Sequence, residues 1–201
     1  MPNQNNMETV WRISSLTSIQ VKEGKKVAAE KILLREMERK DWQAVHEYAS
    51  QHIVCKYQPW GPNTEAESAA FVDQVLIDAQ HHSRTRFVYS IFLPDSLKVI
   101  GAGELNIRDI YHQTGEISYI IHPDYWGKGY GTELAKKLIE IGFSTKNLHR
   151  IYATCDPRNI GSAKVLKKSG MTEEGRLRED MLIRDGWRDS LLFSILEHEW
   201  T

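Results

Sequence analysis

A chain of 201 residues, 41% apolar and 26% charged, is long enough for one hydrophobic core and ordinary in composition for a globular protein. Its formal net charge of −1 supplies no global attraction to nucleic acid or anionic lipid, so neither is expected as a partner. No apolar run approaches the ~20 residues of a membrane span, and the first residues lack a basic-then-apolar leader pattern, so the sequence reads as cytoplasmic.

Residues 1–30 are polar and irregular, with Trp11, Ile13, Leu16 and Ile19 as apolar anchors. They are expected to form an extension packed partly on a single domain covering residues 31–201. Ile32 to Arg35 reads as a strand, and Asp41 opens a helix running to about Ser50. Residues 57–62 form a Pro/Gly loop. Thr64 and Glu67 make a capping box for a helix from Glu65 to about Gln80. Phe87 to Leu93, Val99 to Ile107 and Glu116 to His122 read as strands whose short connections require an antiparallel meander. Leu134, Leu138 and Ile141, widened by Ala135, Ile139 and Gly142, recur at helical spacing. Arg150 to Cys155 is the next strand, and Asn159 to Ser169 is a short helix closed by Gly170. A hairpin of Glu173 to Arg184 and Trp187 to Glu197 turns at Asp185-Gly186. The order β-α-α-β-β-β-α-β-α-β-β describes a mixed α/β domain around one sheet.

The two cysteines, Cys55 and Cys155, have neither metal spacing nor a CxxC arrangement and read as free, buried thiols. Adjacent His81 and His82 cannot face one site on a helix and lack flanking ligands, so no metal is expected.

Between the meander and the second long helix stands Tyr125-Trp126-Gly127-Lys128-Gly129-Tyr130-Gly131-Thr132-Glu133. Bare glycines before a helix let the backbone close on an anion, and the helix start offers free N–H groups to a phosphate. The spacing is not a P-loop. The preceding strand belongs to a meander rather than a parallel βαβ unit, which also argues against a dinucleotide fold.

Four blocks in order carry a resemblance. They are Gly115-Glu116-Ile117-Ser118-Tyr119; Trp126-Gly127-Lys128-Gly129-Tyr130-Gly131; Asn159-Ile160-Gly161-Ser162 continuing through Val165 to Met171; and the stretch from Met181 to Ser190. From about Ile32 to Trp200 the chain resembles the GNAT superfamily of acetyl-CoA-dependent N-acetyltransferases. Within it, the chain is similar to the RimJ/RimL-type branch, whose named members acetylate the N-termini of ribosomal proteins. The resemblance implies a mostly antiparallel sheet of about seven strands with helices on both faces and a V-shaped splay between the fourth and fifth strands.

It also implies a site. Pantetheine would lie in the V against backbone at Ile120, Ile121 and His122, as an added strand would. The pyrophosphate would rest on Gly127, Lys128, Gly129, Tyr130, Gly131 and Thr132. Trp126 stands where the family has Gln or Arg. Asn159 would bond pantetheine, although it also stands where a helix needs a cap. Ser162 would lie beside the cofactor's path and is one option for protonating the leaving thiolate, because Leu166 occupies the place of the tyrosine many members carry. Glu116 aligns with the family's general base, with Glu104 on the neighbouring strand as the alternative. Arg108, falling roughly opposite, would pair with Glu116 and weaken it as a base. Tyr119 and Tyr130 read as packing residues. The acceptor side is expected between the 57–62 loop, the Glu65 helix and the Asp185 turn, with Trp60 over the core and Glu65 and Glu67 on the rim.

At neutral pH roughly a tenth of an α-amine with pKa ~8 is already neutral, against well under a thousandth of a lysine. A weak base therefore suits an α-amine, and a protein N-terminus is the first reading of the acceptor. The alternatives are a small amine, such as a polyamine, amino acid or antibiotic, and a non-catalytic acyl-CoA-binding module. A homodimer is the assembly the branch suggests.

Overall fold

The computed structural model describes residues 30–200; the extension and its four apolar anchors lie outside the described residues. The strands are β1 (Leu33–Glu36), β2 (Arg86–Phe92), β3 (Val99–Asp109), β4 (Thr114–Ile121), β5 (Arg150–Cys155), β6 (Thr172–Ile183) and β7 (Gly186–Leu196). The helices are α1 (Trp42–Ala49), α2 (His52–Cys55), α3 (Glu65–Gln80), α4 (Tyr130–Ser144) and α5 (Ile160–Lys168). One seven-stranded sheet runs β1-β2-β3-β4-β5-β7-β6. Neighbours are antiparallel except β4 and β5, which α4 joins as a crossover.

That parallel seam is short. Only Thr114, Gly115 and Glu116 pair with Arg150, Ile151 and Tyr152. Beyond them β4 stays on β3 through Ile121, and β5 stays on β7 through Cys155, so the two strands diverge. The expected splay is present, between the expected strands.

Each face of the sheet carries its own apolar cluster. Strand alternation sends Ile117, Ile151, Ala153, Phe193 and Ile195 to one side, where they bury against Leu134, Leu138 and Ile139 of α4 and Leu166 of α5. On the other side Val88 and Ala102 pack against Val45, Tyr48 and Ala49 of α1 and Val72 and Val75 of α3. The register Asn106↔Glu116 and Glu104↔Ser118 places Glu104, Glu116 and Ser118 on this second side. Thr64 and Glu67 form the expected capping box.

Asp41 stands at the N-cap position of α1, where the helix was expected to open, but a 3-10 turn over Arg39–Asp41 precedes it and its side chain makes no cap bond to α1. Instead the buried Asp41 carboxylate accepts from Arg35 Nη1 and Nη2 at 2.7 Å each, from the Glu38 N–H at 2.9 Å and from Ser90 Oγ at 2.6 Å. Burial would raise its pKa, but the Arg35 guanidinium, the Glu38 N–H and the Ser90 hydroxyl together outweigh burial and hold it below the ordinary aspartate value. Residues 51–56, to which the sequence assigned no element, hold α2, one helical turn. It buries Val54 and Cys55, and the Cys55 thiol donates to the Ala49 carbonyl.

Candidate active site

Where β4 and β5 part, a cavity of about 850 Å³ opens toward α1, α3 and the 57–63 loop. Its walls include Glu104, Ser118, Tyr119 and Ile120 from β3 and β4, and Cys155, Asp156, Asn159 and Ser162 from β5 and α5. Tyr48, Trp60 and Phe71 of α1, the 57–63 loop and α3 also line it, as does Arg188 of β7. Of the expected residues, this brings together Glu104, Ile120, Asn159 and Ser162. Ile121, His122 and the 126–132 turn lie outside the cavity, at the end of β4 and the start of α4. The Asp185 turn also lies outside it.

The glycine turn has the backbone its residues allow. Gly127 and Gly129 have φ of +75° and +85°, a region costly for other residues. Gly129 is the N-cap of α4 with no side-chain cap bond, and the first amides of the helix have no acceptor within the helix. Nothing stands within 4 Å of where a Cβ would sit on either glycine. The arrangement fits a diphosphate approaching from outside. Trp126 donates its indole N–H to the Ile121 carbonyl at 2.7 Å, while Lys128 donates to the Asp124 carbonyl at 2.8 Å. His122 is tied to Gln51 through Nε2 and accepts the Asp124 N–H through Nδ1.

The two expected carboxylates sit in different places. Glu116 is at the apex of the splay, opposite Tyr152, outside the cavity walls, and takes the Arg108 Nε–H at 2.7 Å. The ion pair anticipated from the hairpin is thus formed. Glu104 lies in the wall, where Arg86 Nε and Nη2 and Asn106 Nδ2 donate to it.

Asn159 is the N-cap of α5, its Oδ1 accepting the Ser162 N–H at 3.0 Å. Ser162 Oγ lies 3.1 Å from the Tyr119 hydroxyl. Tyr119 does pack against the core, as expected, but its hydroxyl also reaches the cavity wall. Burial pushes that phenol well above its ordinary pKa, against the opposing effect of Ser162. Burial likewise raises Cys155 to about 11, so its thiol is protonated at neutral pH and a poor nucleophile. Sequence reasoning missed the hydroxyl of Tyr119 and the guanidinium of Arg188. Strand alternation gives the face each occupies, but no local pattern shows what stands across from it.

The site thus joins a Gly-rich, anion-ready helix start to a splayed parallel pair with a cavity beside it. The family model described as "Acetyltransferase (GNAT) domain" matches residues 31–172. The chain belongs to the GNAT family and is an acetyl-CoA-dependent acyltransferase. It is 38% identical over 174 residues to the uncharacterized N-acetyltransferase YnaD of Bacillus subtilis (strain 168), covering 87% of this chain and 98% of that protein. It is 31% identical over 176 residues to the spermidine N(1)-acetyltransferase of Escherichia coli (strain K12), covering 86% and 90%. Identity falls to 24% over 181 residues, 88% and 93% of the two chains, with the Escherichia coli (strain K12) [ribosomal protein uS5]-alanine N-acetyltransferase. A GNAT-family acetyltransferase structure from Bacillus anthracis superposes with a TM-score of 0.74 at 34% identity, covering 85% of this chain and 98% of that one.

Proposed function

We propose that this acetyltransferase acts on an α-amine, that of a peptide N-terminus or a small amino compound, in a ternary complex with acetyl-CoA. The observation that carries the choice is the state of the cavity's carboxylates. Glu104 is held by Arg86 and Asn106, Asp156 by Arg158, and Glu67 by Thr64. A polycation would need free carboxylates along its length. A single α-amine needs only to arrive neutral, which its pKa of ~8 allows without a strong base.

The thioester supplies an activated acetyl group, and the family uses acetyl-CoA. The amides of residues 127–132 would hold its diphosphate, and the open edges of β4 and β5 would receive the pantetheine amides. Glu104, the carboxylate in the cavity wall, would accept the ammonium proton through water. The Tyr119 and Ser162 hydroxyls, 3.1 Å apart, form the pair from which a proton could reach the departing sulfur. Cys155 takes no covalent part. Asn159, beyond capping α5, offers its amide to the cofactor.

The polyamine reading keeps one observation in its favour, the 31% identity to a spermidine acetyltransferase. The RimJ/RimL-like reading has the weaker 24% relative and the α-amine argument. Thiol release from acetyl-CoA, with intact-mass detection of products, separates them. The panel holds peptides with free N-termini, free amino acids, N-blocked lysine peptides, and spermidine. Turnover confined to α-amines is the expected result; turnover on spermidine alone would overturn the assignment.

A further inference from the structure

Arg188 stands apart from the other charged residues of the cavity. The lining holds two cations, Arg86 and Arg188. Arg86 is neutralised by Asp78 and Glu104. Arg188 is only 9% exposed, yet no described carboxylate oxygen lies within 4.0 Å of it. Its Nη1 donates to Ser190 Oγ at 2.8 Å and to the Asp189 carbonyl at 3.1 Å. Its Nη2 meets the Met181 sulfur at 3.1 Å, a weak acceptor, and its buried Nε has no partner. The nearby carboxylate, Asp156, is already taken by the Arg158 guanidinium. A guanidinium out of water with no carboxylate in contact is costly, and a polar atom left unpaired inside a fold calls for an explanation.

The register locates what is missing. Pairing of Cys155 with Leu191 and of Ala153 with Phe193 puts Leu191, Phe193 and Ile195 on the α4 side of the sheet. Arg188, Ser190 and Ser194, by alternation, belong to the opposite side with Thr154 and Tyr152, the side covered by α1 and α3. The glycine turn that suits a diphosphate lies at the start of α4. An anion paired with Arg188 would therefore come from the acceptor side, not from the phosphates of the cofactor. The under-used Nε–Nη2 edge is the fork that takes a carboxylate side-on through two parallel N–H bonds. The Met181 thioether in front of it is flexible enough to yield.

We propose that Arg188 is a specificity-determining residue that pairs with a carboxylate carried by the acceptor, a few bonds from the amine that is acetylated. This rests on the α-amine reading above and narrows it. The carboxylate is either the α-carboxylate of a free amino acid or an acidic side chain at the start of a peptide.

The test compares matched acceptors on the intact protein. Free amino acids are set against their α-amides, and peptides beginning with Asp or Glu against those beginning with Asn or Gln. The carboxylate form should exceed its neutral partner about a hundredfold in kcat/KM, and the preferred pair names the source of the carboxylate. Arg188→Gln should remove that preference, about a hundredfold on the carboxylate acceptor, while the neutral acceptor and the KM for acetyl-CoA stay unchanged. Arg188→Lys should restore part of it, a point charge without the fork. Equal rates for both members of every pair in the wild type would overturn the proposal and leave the α-amine reading intact. So would an Arg188→Gln loss equal on both members, which marks a structural role. If Arg188→Gln fails to fold, inhibition of the wild type by an N-acetyl amino acid against its N-acetyl amide reads the same preference, and equal inhibition overturns it. If no amine is turned over, the α-amine reading falls. Thermal stabilisation of the wild type by those two product analogues then decides on Arg188: stabilisation by the carboxylate alone supports the proposal, and equal or absent stabilisation ends it.

Discussion

Glu104 and Glu116 stand two residue pairs apart on the β3–β4 ladder, in different surroundings. Glu104 lines the cavity; Glu116 is bound to Arg108 at the mouth of the seam. Glu104→Gln should lower kcat/KM by about a hundredfold, the scale of a lost proton acceptor, while Glu116→Gln stays within about threefold. Steady-state rates on the best acceptor of the panel check both. Cys155→Ala should keep turnover within about threefold, because a thiol raised to about 11 is not the nucleophile. Asp41 carries a different consequence. A carboxylate whose folded pKa lies below its unfolded value stabilises the fold fully above the unfolded aspartate pKa of ~3.9, and that stabilisation is lost as pH falls through the folded value. Asp41→Asn should therefore cost about 3 kcal/mol at pH 7, as expected when one partner of a buried pair is removed. It should also flatten the loss of stability below pH 4, as read by denaturant titration across pH.

The same residues show where local reading works and where it stops. The capping box at Thr64 and the Asn159 cap are contacts within four residues of chain, and both stand as the spacing implied. The alternation of Glu104, Asn106, Glu116 and Ser118 likewise follows from one hairpin. Asp41 was legible as the residue that opens α1, but its side chain does not cap that helix and serves as a counter-ion to Arg35 and a partner of Ser90, 49 positions away, a choice made by tertiary burial. Arg188 shows the same limit, since its isolation is a property of everything packed around it.

Among the elements, the long ones were readable because the stripe on α4 and the alternation of β2 to β4 repeat often enough to fix a period. α2 was missed because one turn has no period. The glycine turn is where sequence and geometry meet most directly. Gly129→Ala would place a Cβ at φ +85° with no atom crowding it, so the cost is backbone strain alone, about 1–2 kcal/mol. A melting temperature lowered by about 2–8 °C is expected for a chain of this size. The KM for acetyl-CoA should rise as the turn's amides lose their alignment. An unchanged KM alongside the lower melting temperature would separate the turn from cofactor binding.

On the scale of the whole molecule, the sheet has two halves, β1 to β4 and β5 to β7, which pair with each other over three residue pairs. A ligand that fills the gap binds the folded state only. Acetyl-CoA at a hundred times its dissociation constant should add about 2.7 kcal/mol of stability, read as a rise in melting temperature. Hydrogen exchange should place the new protection in residues 117–121 and 127–132. Protection confined to other regions would place the cofactor elsewhere.

The short seam between β4 and β5 also bears on timing. With the cofactor bound as proposed, a thiol-bearing arm would have to slide out from between two strands that pair with each other only at the narrow end. That union would serve as the hinge pin of the wider end, and residues far from any reacting atom would bear on how long the spent carrier stays. Gly115, at the centre of the pin, has Leu148 and the Asn106 carbonyl packed where a side chain would go, so the joint is closely backed on one side. On the proposed binding mode, release of the spent carrier would depend on how stiffly two β-strands are clasped at one end, a mechanical property of the sheet as much as a chemical property of the cavity.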